Sequence, residues 1–310
     1  MRRTPEFEAF VAPAARYPAL WRMVVAIVIG IAVYAFGAAL VMFFGFPVLF
    51  DYEVNAELDF PRALERVTTL AVPAVEQGRT PQAMALLFLT FIPMALGAIV
   101  MAFWHWRGAA SLFGPAHRFA TYFAIASLVI ALMNIGFLIV ERLLGGPLGY
   151  VSNLQVADWM GYLIWAIPLL MIQITAEEMI FRGYLQQQLA ARFQSFVWWM
   201  VLPSVIFGLA HYNPEADVAL RWSTVVATGI VGLIAADLTR MTGSLAAAMG
   251  LHFANNFFAV FVIGVPGQLS GLALYHLPHT VAASETLAPL IWVEVVILLL
   301  VWVIIRRLIR

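Results

Sequence analysis

The chain contains no cysteine, and this absence removes several kinds of chemistry at once. Disulfide bonds, zinc sites built from thiolates and cysteine nucleophiles all require a residue that the sequence does not have. Any nucleophile in this protein must therefore be an activated hydroxyl group or an activated water molecule.

Charge is also scarce. Only 11% of the 310 residues are charged, and 17 basic side chains balance 17 acidic ones. A net charge of zero offers no electrostatic argument for nucleic acid, so we predict no nucleic-acid partner. By contrast, 63% of the residues are hydrophobic and the mean hydropathy is +0.91. These values are typical of an integral membrane protein embedded in the lipid bilayer.

Apolar stretches of about 20 residues, the length that crosses a bilayer as a helix, recur along the chain. We predict an all-α fold, a polytopic membrane protein with about eight transmembrane helices. The predicted spans are residues 21–50, 82–106, 119–140, 161–181, 197–211, 222–240, 245–264 and 287–305.

The arginines indicate an orientation, because short cytoplasmic loops are enriched in basic residues. With a cytoplasmic N-terminus, most arginines fall on the cytoplasmic side, and an even number of spans returns the C-terminus to that side. These arginines are Arg2, Arg3, Arg16, Arg22, Arg107, Arg118, Arg182, Arg192, Arg240, Arg306, Arg307 and Arg310. We therefore predict an integral protein of a bacterial inner (plasma) membrane with both termini in the cytoplasm.

The same pattern divides the chain into four segments. Residues 1–20 form a basic cytoplasmic tail, and residues 21–158 hold the N-terminal transmembrane helices with a charged external loop at 51–81. Residues 159–264 hold the helices that carry the intramembrane polar residues. Residues 265–310 contain an external loop, the last span and a basic C-terminal tail.

Ionisable residues inside a membrane are informative because each costs about 2.5 to 3.5 kcal/mol at a helix centre. The fourth span carries Glu177 and Glu178, followed by Arg182. Glu178 and Arg182 are four residues apart on one helix face, whereas Glu177 is rotated by about 100°. This spacing favours Glu178 as the partner of Arg182 and Glu177 as a free base that points into a cavity. A purely structural salt bridge of both glutamates with Arg182 is the alternative.

Two later spans contribute further polar side chains. His211 ends the fifth span, and a turn near residue 194 would bring it level with Glu177 in an antiparallel hairpin. His252 and Asn256 are four residues apart on the seventh span, so both project from one face. The structural alternatives are an interfacial His211 and an interhelical hydrogen bond between His252 and Asn256.

Three motifs in this order resemble those of a known family. They are Glu177-Glu178-Met179-Ile180-Phe181-Arg182, the spacing of Phe207 and His211, and the spacing of His252 and Asn256. Together they are similar to the motifs of the CPBP intramembrane endopeptidases, also called the Abi or CAAX-protease family, to which CAAX prenyl protease 2 of the Ras-converting type is related. The resemblance covers residues 160 to 262.

The resemblance implies an intramembrane endopeptidase that acts on a membrane-associated protein or peptide. Its active site would lie within the helix bundle, with residues 159–264 as the catalytic core. By the motifs, Glu177 would be the base that activates a water, and His211 would assist it. His252 and Asn256 would bind or polarise the substrate carbonyl oxygen. Glu178 and Arg182 would support the site.

The residues leave the use of a metal open. Glu177, His211 and His252 supply a His₂Glu set of the kind that binds catalytic zinc. Their spacing differs from the His-Glu-x-x-His arrangement on one helix, and a glutamate that ligates a metal cannot also act as a free base. The sequence therefore favours a glutamate-activated water, with no cofactor required or with a divalent metal such as Zn.

Two other functions use the same residues. One is a catalytically inactive binding or immunity protein of the same fold, which would typically lack a motif residue, and none is missing here. The other is a proton-coupled transporter in which Asp237 and Glu294 act as additional relay groups. The chain has no internal repeat of the kind from which such transporters are built.

Overall fold

The computed structural model describes residues 2–50, 65, 67–146, 148–266, 268–278 and 284–309, with the backbone alone for 284–286. Its α-helices are α1 (Pro5–Val11), α2 (Leu20–Leu49), α3 (Val72–Gln77), α4 (Pro81–Leu89), α5 (Phe91–Trp104), α6 (Phe119–Leu143), α7 (Val156–Glu178), α8 (Gln187–Arg192), α9 (Leu202–Leu209), α10 (Val218–Thr242), α11 (Ala246–Phe257) and α12 (Ser284–Leu308). Short π-helical segments, whose turns are wider than those of an α-helix, cover Val67–Ala71, Met179–Gln186, Val197–Val201 and Phe258–Val262.

Within the described residues, six helical segments are long and apolar enough to cross a membrane. They are Leu20–Leu49, Pro81–Trp104, Phe119–Leu143, Val156–Arg192, Val218–Thr242 and Leu287–Leu308. Two shorter apolar helices, Val197–Leu209 and Ala246–Val262, coincide with the predicted fifth and seventh spans. The predicted polytopic helical membrane protein is confirmed, although two of the eight predicted spans are shorter than a typical span of about 20 residues.

The fourth span is much longer than predicted. It runs from Val156 to Arg192, 37 residues, whereas the sequence placed its end at residue 181. The polar residues beyond that point find partners inside the protein: Gln186 donates to the carbonyl of Ala236 at 3.0 Å, and Gln187 donates to that of Ser111 at 2.9 Å. Because buried polar groups are tolerated when they are hydrogen-bonded, the helix continues through them.

The N-terminal segment, for which the sequence predicts a basic tail, contains a short helix that docks on the bundle. Phe7 of α1 is wholly buried, and its ring lies 4.9 Å from that of Trp199. Arg3 donates to the carbonyl of Ala190 at 2.6 Å, and the Thr4 hydroxyl donates to that of Arg240 at 2.5 Å. The apolar contact and these hydrogen bonds fasten the segment to the ends of α8 and α10.

The predicted loop at 51–81 contains helical turns near its end. Residues 51–64 and 66 lie outside the described part of the chain. Helix α3 precedes Gly78, and α4 begins at Pro81, where the Thr80 hydroxyl accepts a hydrogen bond from the backbone N–H of Ala83. A threonine cap followed by proline is a standard helix start, and it explains this boundary.

Three short strands add a small sheet that the sequence did not predict. They are β1 (Val151–Ser152), β2 (Ile263–Gly264) and β3 (Tyr275–His276), in the order β1-β3-β2. Strand β3 pairs antiparallel with β1 and parallel with β2. This sheet joins the loop after α6 to the segment between α11 and α12, and only β3 lies in the predicted external loop.

Both described chain ends lie at one end of the bundle, as an even number of spans requires. The buried Asp237 carboxylate near the end of α10 binds Arg240 at 2.8 Å and Arg306 of α12 at 3.3 Å. Arg240 also donates to the backbone carbonyl of Arg2 at 3.0 Å. Asp237 is thus held in a structural network, which argues against its use as a proton relay.

Close packing of α11 on α6 leads to a stability prediction. A methyl group on Gly250 would overlap the carbonyl of Phe123, whereas one on Gly161 of α7 would meet no atom within 4 Å. Gly250→Ala should therefore lower the free energy of unfolding by about 1–3 kcal/mol, the usual cost of overpacking. Gly161→Ala is the control and should be neutral or stabilising by up to about 1 kcal/mol, since alanine favours helix. Thermal unfolding of the purified variants measures both changes, and equal midpoints would contradict the packing argument.

Candidate active site

Three elements bring the polar residues together inside the bundle. The end of α7 carries Glu177 and Glu178, and the π-helical turn that follows carries Arg182. Helix α9 presents Phe207, and α11 presents His252. Close approach of α9 to α10 needs Gly208, because a methyl group there would crowd the carbonyl of Val225 at 2.5 Å.

Glu178 and Arg182 form the predicted ion pair. Arg182 Nη1 lies 2.9 Å from Glu178 Oε1, and the two side chains are 2% and 1% exposed. Arg182 also donates to the carbonyl of Gly232 at 3.3 Å, and its guanidinium lies 4.6 Å from the centre of the Phe207 ring. The buried charges are therefore paired, and Arg182 is held between α7, α9 and α10.

His252 lies between the two glutamates, a contact that spacing along one helix does not reveal. Its Nδ1 is 2.9 Å from Glu178 Oε1, and its Nε2 is 3.6 Å from Glu177 Oε2. Because an ionised carboxylate only accepts hydrogen bonds, the contact with Glu178 places a proton on Nδ1. Glu178 therefore orients His252 as well as pairing with Arg182.

Gln173 is a site residue that the sequence reasoning missed. Its Nε2 donates to Glu177 Oε1 at 2.9 Å, and its Oε1 accepts from Asn256 Nδ2 at 3.4 Å. The residue lies one helical turn before Glu177, so a search for polar residues four positions away would have found it. It links the carboxylate predicted to be the base to the amide predicted to bind the carbonyl oxygen.

The Phe207 ring lies between His211 and His252 and contacts both rings. Its Nδ1 donates to the carbonyl of Phe207 at 2.8 Å, and the two rings are 4.8 Å apart in an edge-to-face arrangement. The Phe207 ring in turn lies 5.9 Å from the His252 ring. With the proton on Nδ1, a neutral His211 has a free acceptor at Nε2.

Two carboxylate oxygens in the site are buried without a hydrogen-bond partner among the described residues. They are Oε2 of Glu177 and Oε2 of Glu178. A buried acceptor without a donor is costly, and each of these oxygens can accept a hydrogen bond from a water or a substrate. At Glu177 this acceptor faces a histidine nitrogen, an arrangement that can take a proton from a bound water.

The metal set considered from the sequence does not form a metal site in this arrangement. In the described part of the chain, no group of three or more His, Cys, Asp and Glu side chains is arranged so that it could hold a metal ion. Glu177 and His252 are adjacent, but His211 contacts Phe207 instead. The donor set, as placed, therefore does not fit a His₂Glu centre.

The fold and this site define a class of protein: a polytopic helical membrane protein with a buried carboxylate and imidazole group on three packed helices. Residues 159–258 match the family described as type II CAAX prenyl endopeptidase Rce1-like, and this segment is a domain of that Rce1-like (CPBP) family. The match contains Gln173, both glutamates, both histidines and Asn256.

A curated relative extends the similarity over most of the chain. The chain is 26% identical over 278 residues to the uncharacterized protein YyaK of Bacillus subtilis (strain 168). The alignment covers 85% of this chain and 84% of that protein. No solved structure matches the chain.

Proposed function

We propose that this protein is an intramembrane endopeptidase that hydrolyses a peptide bond with a water activated by Glu177. The single observation that carries the proposal is the buried contact between Glu177 and His252, in which Glu177 Oε2 is 3.6 Å from His252 Nε2. That oxygen has no hydrogen-bond partner among the described residues, whereas Oε1 is fixed by Gln173. Glu177 therefore combines an oriented carboxylate with one open acceptor.

Charge balance supports a positively charged His252 in this proposal. The buried group contains two carboxylates and one guanidinium, so that a neutral imidazole would leave a net negative charge in the membrane interior. Such an uncompensated charge is strongly disfavoured. A protonated His252, donating from Nδ1 to Glu178 and presenting Nε2–H towards Glu177, makes the group neutral.

The reaction then follows from these positions. Glu177 Oε2 accepts a proton from water as the water oxygen bonds to the substrate carbonyl carbon. The carbonyl oxygen becomes negative and is stabilised by hydrogen bonds from His252 Nε2–H and Asn256 Nδ2. Glu177 next donates the proton to the leaving nitrogen, and the C–N bond breaks. The free Nε2 of His211 accepts a hydrogen bond from the attacking water and so assists the base.

Membership of the Rce1-like family in residues 159–258 supports this function for the segment that holds the site. It also supports residues 159–264 as the catalytic core, with the remaining helices as membrane scaffold. A site buried in a helix bundle fits a substrate that reaches it from the membrane, which is a membrane-associated protein or peptide. The arginine distribution supports a cytoplasmic location of both termini in a bacterial plasma membrane.

Cleavage can be tested without knowing the substrate. Purified protein is incubated with membranes prepared from cells that lack it, in water enriched in ¹⁸O, and new peptide ends are identified by mass spectrometry. We expect new carboxyl termini that carry one ¹⁸O atom with wild-type protein and not with folded Glu177→Gln protein. Identical peptide ends for both proteins would contradict the proposal and favour a binding protein of the same fold.

Gln173 provides a further test, because it holds both Glu177 and Asn256. Gln173→Leu removes a hydrogen bond to a charged group, a contribution of about 1.5–3 kcal/mol, so kcat should fall by roughly 10- to 100-fold. KM should change less, since Gln173 touches catalytic groups rather than the substrate. The exposed Gln82→Leu on α4 is the control and should leave kcat unchanged. A Gln173→Leu enzyme with wild-type kcat would show that the link is dispensable.

A further inference from the structure

A cavity lies between α6, α10, α12 and the segment after Asn255. The cavity has a volume of about 410 Å³ and is lined mostly by apolar side chains, among them Ile130, Phe137, Leu220 and Ile297. Ligand cavities in proteins are usually about 300–1,000 Å³, so this one is large enough for a small molecule.

One carboxyl group interrupts the apolar lining. Glu294 lies on α12, seven residues after Leu287, where the apolar span begins, and so about 10 Å into that span. It lines the cavity, and among the described residues its side chain has no hydrogen bond or ion pair. A carboxyl group at this depth is costly unless a partner compensates it.

Two other ionisable side chains, Tyr150 and Arg221, line the cavity wall. Tyr150 Oη is buried without a hydrogen-bond partner among the described residues. Burial raises the pKa of Tyr150 to about 12, with a contribution from the nearby Glu141, so its hydroxyl stays neutral. Arg221 also lines the cavity. Its guanidinium, however, donates to the carbonyls of Asn213, Pro214 and Ala216 and so holds the loop between α9 and α10. Glu294 is therefore the charged group that is free for a ligand in the described wall.

We propose that this cavity binds a membrane-soluble amine, a molecule with one ammonium group on an apolar body. The ammonium would pair with the Glu294 carboxylate, and the apolar part would fill the cavity between α6 and α12. An amine satisfies both features of the site, because it neutralises the isolated carboxylate and buries apolar surface. The site is separate from the Glu177–His252 group, and its occupancy does not depend on proteolysis.

Dodecylamine is a suitable test ligand. Saturable binding of tritiated dodecylamine to the purified full-length protein is measured by scintillation proximity, with unlabelled dodecylamine, 1-dodecanol and dodecanoate as competitors. We expect dodecylamine to compete at least tenfold more strongly than dodecanol, and dodecanoate to compete least. Absence of saturable binding, or equal competition by the alcohol or the carboxylate, would overturn the proposal on the wild-type protein alone.

Two variants test the contributions of the Glu294 charge and of the cavity space to binding separately. Glu294→Gln keeps the side-chain shape and should weaken dodecylamine binding at least tenfold while leaving dodecanol competition unchanged. Ile297→Trp keeps the carboxylate but fills the space, and should abolish saturable binding. Glu76→Gln, on α3 outside the cavity lining, is the matched control and should bind as wild type. Unaltered affinity in a folded Glu294→Gln protein would show that the carboxylate does not recognise the ligand.

Discussion

Replacement of Glu177 by glutamine is expected to lower kcat for peptide hydrolysis by about 10²- to 10⁴-fold, the usual contribution of a general base. Glutamine keeps the size of the side chain and the position of Oε1, which accepts a hydrogen bond from Gln173 at 2.9 Å. It replaces the open acceptor near His252 with a group that cannot take a proton from water. The measurement is the initial rate of cleavage of a peptide identified from the ¹⁸O experiment, with wild-type and variant protein in the same lipid.

Two comparisons make this result specific. Glu215→Gln changes an exposed carboxylate in the loop after α9 and should leave the rate unchanged. Glu178→Gln removes the partner of both Arg182 and His252, so thermal stability and rate should fall together. A Glu178→Gln protein with full stability and no activity, beside an active Glu177→Gln protein, would reverse the two assigned roles.

The second large effect is expected at the group that stabilises the negative carbonyl oxygen. Asn256→Asp keeps the side-chain size but replaces the Nδ2 donor with a negatively charged oxygen. The loss in kcat should be at least about 10²- to 10³-fold, as for removal of one oxyanion-hole donor. KM should change less, because the interaction strengthens only as charge develops in the transition state.

Asn255→Asp is the matched control for this experiment. Asn255 is the adjacent residue on the helix, rotated by about 100°, and it lines the second cavity instead of the site. The same charge change there should leave kcat close to the wild-type value. If Asn256→Asp kept near-full turnover, Asn256 would be a packing residue, and His252 alone would have to stabilise the oxygen.

Local geometry explains which features were predictable. The pairing of Glu178 with Arg182 follows from a separation of four residues, and that of Asp237 with Arg240 from a separation of three. Residues at these separations are neighbours on any helix, whatever surrounds it. For the same reason, the contact between Gln173 and Glu177, which are four residues apart, was predictable from the sequence.

Contacts between distant parts of the chain were not predictable in this way. His252 meets Glu178 across 74 residues, and Phe7 packs on Trp199 across 192 residues. Hydropathy placed the end of the fourth span at residue 181 because polar residues follow, but partners on other helices satisfy Gln186 and Gln187. The length of this span therefore depends on hydrogen-bond partners from other parts of the fold, which a hydropathy profile of the sequence does not show.

The amino-acid sequence by itself determined the helical membrane class of this protein, the helices that carry its polar residues and the helix face on which each lies. These properties depend on hydropathy and on the 3.6-residue turn, which act over one helix at a time. Only the tertiary structure decided that His252 lies between two carboxylates, that His211 reaches the group through Phe207 and that Glu294 faces a cavity. The physical reason is that helix packing sets the distances between side chains on different helices, and a shift of a few ångströms there makes or breaks a hydrogen bond.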